Sequence, residues 1–307
     1  MRLLEDCPDP YLEAKLLLLH ATGISEQRFF SSPEKKLSEA QKRKFFALVE
    51  KRRSGVPLAY LTGKKEFWSI PFKILPGVFI PRPETELVVE KVVEFSSGKR
   101  QIIVDIGTGC GNIAISLAAE LPQAEIVATD ISERALKLAR MNALKITSSS
   151  SLAKIRRFKL QGQEAPESGC RRLSTSDEKI NNITFAKGSL FTPLKRLNLE
   201  GKCDFIVSNP PYVLEKEWEE LSPSIRGHEP KSALVGGKTG LEFIEKLVKG
   251  SPLFLKPGGM LIIEIGYGQR DKVLSLFEEG WIDVCSHRDL SSIYRVISAR
   301  YRPQVVG

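Results

Sequence analysis

Two short runs in this 307-residue sequence hold residue types that can do chemistry. One is Asn209-Pro210-Pro211-Tyr212, which ends the apolar run CDFIVS. Neither proline has an N–H to give to a ladder, so a central strand must stop there. Pro210 drives Asn209 into an extended conformation, and each proline holds its own φ near about −65°. The Asn209 carboxamide and the Pro210 carbonyl are therefore aimed before any ligand arrives, and Tyr212 adds an aromatic face. Two fixed acceptors beside a ring suit a planar –NH₂ group, whose two N–H donors lie in one plane. Accepting both protons favours positive charge on that nitrogen and turns its free lobe toward an electrophile. Alignment of the reacting atoms can remove about 7–11 kcal/mol of barrier, and oriented acceptors several more. Such a site needs no strong base, and none of the three histidines is a candidate for one. The plainer reading is a turn, which Asn-Pro readily starts.

The other run is VDIGTGCGN, with Gly107, Gly109 and Gly111 alternating with Thr108 and Cys110 between an apolar strand and a helix. Glycine there permits positive φ and close approach of the backbone to a ligand. The dinucleotide fingerprint wants G-x-G-x-x-G, whereas the third glycine here comes one residue early and Asn112 takes its place. With Asp105 two residues before the first glycine, the spacing is that of methyltransferases that bind S-adenosylmethionine. Asp130, at the end of the next strand, can accept from both hydroxyls of a ribose. The plainer alternative is a glycine-rich strand-to-helix turn followed by a capping acid.

Both runs must sit at strand ends, and the pattern from Gln101 onward supplies such ends. QIIVDIG, AEIVATD, NITFAKGSLF, CDFIVSNPP and GGMLIIEIG read as strands. GNIAISLAAEL, SERALKLARMNALK and GLEFIEKLVKGSPLFL read as helices between them, and IDVCSHRD and YRVISARY close the pattern. That alternation predicts a doubly wound, mostly parallel sheet, which binds ligands at the carboxyl ends of its strands. Before it, YLEAKLLLLHATG places Leu12, Leu16 and Leu19 on one helical face and stops at Gly23. A second helix runs from an N-cap at Ser38 through Phe45, Leu48 and Val49 to Gly55. KKEFWSIPFKIL predicts a hairpin turning near Ser69 to Pro71, and Arg82 to Glu86 a helix start with Pro83 in the first turn. Residues 146–182, rich in serine and charge, predict a flexible insertion.

The composition excludes several classes. No apolar run approaches the ~20 residues of a membrane span. The start, with Glu5, Asp6, Asp9 and Glu13, is neither a secretory signal nor a transit peptide. Five cysteines without C-x-x-C spacing give no metal framework or disulfide scaffold, which leads us to expect a cytoplasmic protein without a metal. The net charge of +9 is concentrated in residues 1–75, with 14 basic against 9 acidic residues, and in 145–182, with 8 against 4. These are either solvated surfaces or an electrostatic attraction to a nucleic-acid assembly. Bottom-up, the amine remains open among adenine, cytosine, guanine and a glutamine amide.

Nearly the whole chain resembles the HemK/PrmC family of protein-(glutamine-N5) methyltransferases, which modify peptide chain release factors. The likeness runs through Gly55–Glu90 with its PRPETE, Asp105–Ala118, SNPPY at Ser208–Tyr212, EPKSALVGGKTGLEF at Glu229–Phe243, and Leu255–Gly266. It implies a Rossmann-like class I methyltransferase sheet over residues 81–307, a linking β-hairpin over 64–80 and a small helical substrate-recognition domain over 1–63. It also implies methyl transfer from S-adenosyl-L-methionine, leaving S-adenosyl-L-homocysteine, to the glutamine of a Gly-Gly-Gln loop, in support of translation termination. Asp105, Gly107 to Gly111 and Asp130 would bind the cofactor, with Leu190 in the loop beside its adenine. Asn209 would face both cofactor and amide, with Pro210, Pro211 and Tyr212 forming the glutamine pocket and Arg82 at its edge. Ser189 stands where the family has Asp, Val235 where it is acidic, and RDLSSIYRVI lacks the family's Gly-Arg-Asp. A DNA or RNA amine methyltransferase and a non-catalytic binding protein on the same fold are the competing readings. Direct nucleic-acid binding is the less favoured of the partner choices, and a membrane is excluded.

Overall fold

The fold was obtained as a computed structural model and is described for residues 4, 7, 9–32, 34–147 and 178–303. Four helices come first: α1 (Pro10–Thr22), α2 (Glu26–Ser31), α3 (Glu39–Arg53) and α4 (Leu58–Thr62). Asp9 caps α1 through the Leu12 N–H, and Gly23 ends it in the left-handed region. Ser38 opens α3 through a reciprocal capping box with Gln41. The buried positions of α1 are Glu13, Leu17 and Ala21, not the expected Leu12, Leu16 and Leu19. The face is rotated because Arg52 of α3 draws Glu13 inside, donating to its two oxygens at 2.6 and 3.1 Å. Leu17 then packs with Leu4 and Val49, flanked by Phe45 and Leu48.

The hairpin pairs β1 (Lys64–Phe67) with β2 (Ile70–Lys73). Its turn lies at Trp68 and Ser69, earlier than expected, and Pro71 sits on the exposed side of β2. Both turn residues have positive φ, as a two-residue hairpin of this hand requires. That unfavourable conformation is held from outside: Glu86 accepts the Trp68 backbone N–H and Glu120 its indole N–H.

A single 3₁₀ turn, Pro83–Thr85, leads into α5 (Glu86–Phe95). There follow β3 (Ile102–Ile106), α6 (Asn112–Glu120), β4 (Glu125–Asp130), α7 (Glu133–Thr147), β5 (Glu178–Ile180), β6 (Ile183–Lys187), α8 (Thr192–Arg196) and β7 (Cys203–Ser208). The remainder is β8 (Val213–Leu214), α9 (Pro223–Arg226), β9 (Val235–Gly237), α10 (Glu242–Gly250), β10 (Leu255–Glu264), α11 (Arg270–Leu274), β11 (Trp281–Arg288) and β12 (Tyr294–Tyr301). Eight of these strands form one sheet in the order β11-β12-β10-β7-β3-β4-β6-β5. The five central strands are parallel, and β12, β11 and β5 join by antiparallel pairing. This is the doubly wound α/β sheet that the alternation predicts. Its strand order reverses between β3–β4 and β7.

Two expected boundaries move. Residues 178–180, assigned from the sequence to an insertion over 146–182, add an edge strand to β6, and Ile146 is buried in α7. The rest of that expectation, residues 148–177, lies outside the described residues. The helix expected to reach Leu255 stops at Gly250 and gives way to a 3₁₀ turn around Pro252, so Leu255 already begins β10. Strand residues alternate between two cores. Ile103, Ile126, Phe205 and Ile262 face the hairpin and α5–α7, and Val104, Val127, Ile206 and Leu261 face α8, α10 and α11. Both faces being covered, the central strands are apolar almost throughout. Among the described residues, no helix is long and apolar enough to cross a membrane.

Asn142 of α7 ties hairpin to sheet. It accepts the Lys73 N–H at 2.9 Å and donates to the Lys73 and Cys110 carbonyls at 3.1 and 2.9 Å. Asn142→Ala leaves three polar groups without their partner and is expected to lower stability by about 2–4 kcal/mol. Urea unfolding measures this, and a loss below about 1 kcal/mol would show that water replaces the side chain.

Candidate active site

Sheet register sets the site. Ile106 of β3 lies opposite Thr129 of β4 on one side and Ser208 of β7 on the other, and Ser208 lies opposite Ile263 of β10. The residues one step further therefore stand in a row across the carboxyl ends: Asp130, Gly107, Asn209 and Glu264. The row spans the point where the strand order reverses, which is where such sheets bind ligands. Two sequence motifs separated by about a hundred positions thus become neighbours. The Ser208 hydroxyl reinforces the rung by donating to the Ile106 carbonyl at 2.7 Å.

At the glycine end, the Gly107 and Thr108 N–H groups both donate to the Thr129 carbonyl. Gly107, Gly109 and Gly111 all have positive φ. They differ in what surrounds them. A Cβ on Gly111 would press within 2.9 Å of Ile115, whereas one on Gly107 or Gly109 would meet nothing within 4 Å. The first two thus line open space, and the third permits packing of the turn on α6 and α7. Asp130 is oriented by the Gly109 N–H on one oxygen and the Ser132 N–H on the other, at 2.9 and 2.8 Å. Each oxygen keeps a lone pair for a further donor. Burial pushes the Asp130 carboxyl up, against those N–H groups. Asp105 is fully buried, receives the Thr108 hydroxyl at 2.6 Å on one oxygen, and has no hydrogen-bond partner on the other. Open space beside two glycines, an orphaned carboxylate oxygen and a pre-oriented acid fit a polar, hydroxylated ligand such as a nucleoside. The Cys110 side chain is not part of this surface: it is packed in the core, where burial raises its thiol to about 12. Leu190, at positive φ, packs against the second core beside this end, and Ser189 is exposed.

At the Asn-Pro-Pro-Tyr end, the Asn209 carboxamide nitrogen donates to the Thr85 hydroxyl at 2.9 Å. That hydroxyl donates to Glu264 at 2.6 Å, and the Tyr212 hydroxyl donates to the other Glu264 oxygen at 3.1 Å. The loop is held from behind as well. Gln269 accepts the Gly266 N–H and donates to the Tyr212 carbonyl, both within 2.9 Å. A Cβ on Gly236 would lie 2.5 Å from the Pro211 carbonyl, so only glycine lets β9 approach so closely. Arg82 is drawn to buried Glu229 at 2.5 Å and lies over the Phe79 ring at 4.8 Å. Glu229 also accepts the Ile80 N–H, which joins the PRPETE segment to the chain after Tyr212.

Thr85, Glu229, Glu264 and Gln269 escaped the reading of the sequence. One signal for Glu264 was visible: a carboxylate inside the apolar run MLIIEIG can be buried only with partners. Its partners, however, come from positions far away in the chain. Burial is the main cause pushing the carboxyls of Glu264 and Asp105 up to about 7. Hydroxyl donors oppose the rise at both, and Arg295 opposes it at Glu264. Among the described residues, no group of three or more His, Cys, Asp and Glu is placed to hold a metal.

Three family models match the chain: a PrmC N-terminal domain over residues 1–63, a methyltransferase small domain over 70–165, and an Eco57I restriction-modification methylase over 124–263. The release factor glutamine methyltransferase of Coxiella burnetii is 33% identical over 95% of this chain and 92% of its own. The protein of that description from Moorella thermoacetica is 37% identical over 87% of this chain and 82% of its own. Among solved structures, a methyltransferase from Pyrococcus furiosus aligns over 76% of this chain and 90% of its own, with a TM-score of 0.47 and 17% identity. That last likeness is too distant to add to what the sheet order itself shows.

The two raised carboxyls have a consequence for stability. Between the ordinary carboxylate range, near about 4, and their folded values of about 7, the folded chain holds more protons than the unfolded one. Stability therefore falls as pH rises through that window and levels off above it. Urea midpoints at pH 5, 6 and 7.5 should show a shallower fall for Asp105→Asn than for the parent, and parallel curves would contradict the assignment.

Proposed function

This chain belongs to the release factor glutamine methyltransferase family, and we propose that it methylates the side-chain amide nitrogen of the glutamine in the Gly-Gly-Gln motif of peptide chain release factors. The observation that supports the reading is the row Asp130, Gly107, Asn209 and Glu264, which brings the open space beside Gly107 and Gly109 next to the Asn209 carboxamide. S-adenosyl-L-methionine, when bound, supplies an electrophilic methyl group on its sulfonium.

The residues of the chain do the rest. Gly107 and Gly109 leave room for the backbone to approach the cofactor, Asp130 would offer its free lone pairs to the ribose hydroxyls, and Leu190 would line the adenine side. The Asn209 carboxamide oxygen and the Pro210 carbonyl accept the two protons of the substrate amide. The amide nitrogen thereby gains electron density as positive charge develops, and its free lobe is fixed in direction. Tyr212, held by Glu264, forms one wall, with Pro211 beside it and Arg82 at the rim. The amide needs no ionised base before attack, because the N–H proton becomes acidic only once the methyl has been transferred, and it is then lost from the carbonyl acceptor side to solvent. The helices over 1–63 serve to grip the release factor, the hairpin over 64–80 links them to the catalytic part, and residues 81–307 carry the chemistry.

Nucleic-acid amines would use the same acceptors, and the restriction-modification methylase model covers only residues 124–263. The curated relatives extend over the N-terminal helices too, which favours a protein substrate.

Labelled cofactor with a release factor, its Gln→Ala loop variant and nucleic acid decides the substrate. Label is expected on the release factor and not on its variant; label on nucleic acid alone would overturn the reading. Asn209→Ala should reduce kcat by ~100-fold or more while cofactor affinity stays within a few-fold. Gly109→Ala should cost only about 1–2 kcal/mol of stability for its left-handed backbone. Its Cβ enters the open cradle, so calorimetry should show cofactor affinity reduced at least tenfold. Unchanged affinity would place the cofactor elsewhere.

A further inference from the structure

Asn209 can do its work in only one orientation. A carboxamide has nearly the same shape when its oxygen and nitrogen are exchanged, yet one arrangement presents an acceptor to the substrate amine and the other presents two donors. Nothing in Asn-Pro-Pro-Tyr chooses between them, because the prolines fix the backbone and not the amide plane. We infer that Thr85 and Glu264 are positioning residues that make this choice: Glu264 takes the Thr85 proton, Thr85 takes an N–H of Asn209, and the Asn209 oxygen is left to the substrate.

The chain of donors allows one direction when Glu264 is ionised. A carboxylate only accepts, so the single Thr85 proton must go to it across the 2.6 Å contact. The Thr85 oxygen then has only lone pairs to offer Asn209, and the partner 2.9 Å away must be the carboxamide nitrogen. The second Glu264 oxygen receives the Tyr212 hydroxyl, so one buried carboxylate sets both the amide and the aromatic wall. Thr85 and Glu264 are each 1% exposed, which keeps water from substituting for either link. The charged and titratable groups that face Glu264 are Arg295 of β12, which favours its anion, Glu84 beside Thr85, which opposes it, and Tyr212. A protonated Glu264 would donate to Thr85, Thr85 would donate onward, and Asn209 would turn its oxygen inward. The carboxyl lies at about 7, so this reversal falls within an accessible pH range.

The inference rests on the amide-methylation reading above, and its test separates the two. Thr85→Val keeps the shape and removes the hydroxyl. Single-turnover transfer to the release factor should fall by roughly 10–100-fold, the scale of loss seen when an outer partner that orients a metal-binding side chain is removed. Cofactor affinity and the KM for the release factor should stay within about threefold, and Thr85→Ser should recover most of the rate. The parent rate should rise with pH through about 7, and the Thr85→Val rate should not. A Thr85→Val enzyme with the parent rate and pH profile would overturn the inference. A measurement on the parent protein alone guards against a variant that fails to fold. The Asn209 side-chain NH₂ resonance, assigned by its loss in Asn209→Ala, should exchange slowly and shift as pH passes through about 7. Exchange at the solvent rate with no such shift would overturn the inference even if the variants are uninformative. If the parent transfers nothing to a release factor, the substrate reading fails, and the resonance still decides the orientation.

Discussion

The last rung between β3 and β7, where Ile106 faces Ser208, is the constraint on which the site depends. A shift of one residue would turn every core side chain of a strand to the other face, and both faces here are packed. The register is therefore fixed by the whole sheet, and the ends of four strands inherit that precision. Asp130, Gly107, Asn209 and Glu264 need no loop to bring them together. The loops begin at these residues and are clamped afterwards, by Gln269 on the Tyr212 carbonyl and by the close approach of Gly236 to Pro211.

Buried carboxylates divide by the partners they have. Glu13 meets Arg52 and Glu229 meets Arg82, so a formal charge answers a formal charge, and both pairs join segments distant in sequence. Asp105 and Glu264 are instead held chiefly by hydroxyl groups, from Thr108, Thr85 and Tyr212. A hydroxyl satisfies a lone pair without neutralising the charge, so burial dominates and the carboxyls rise toward neutrality. The two that rise this way lie at strand ends in the site, while the arginine-paired ones hold helices and linker in place. Carboxyls perturbed in this way are a common sign of function.

Alternation and turn chemistry made much of the architecture legible. The strands from Gln101 onward, the capping box at Ser38 and the stop at Gly23 are local signals, and local physics produces them. The errors came where distant residues overrode local pattern. Leucine spacing suggested one face of α1, and the ion pair to Arg52 buried another. Trp68 and Ser69 adopt positive φ because Glu86 and Glu120 hold Trp68, which a hairpin signal centred on Pro71 could not show.

The sequence by itself determined which chemistry was available. Two prolines rigidify an acceptor pair wherever they stand, and glycines on alternate residues permit close backbone approach in any fold. The helical N-terminal part and PRPETE directed attention to a protein amide, through resemblance to a family and not through physics. Only the tertiary structure brings the Asn209 amide against the Thr85 hydroxyl and buries Glu264 behind it. Thr85, Asn209 and Glu264 lie 124 and 55 positions apart and share no local pattern, and the low dielectric that raises Glu264 exists only once both faces of the sheet are covered. Hydrogen-bond direction and desolvation are properties of the assembled interior, so neither can be read from residue types in order.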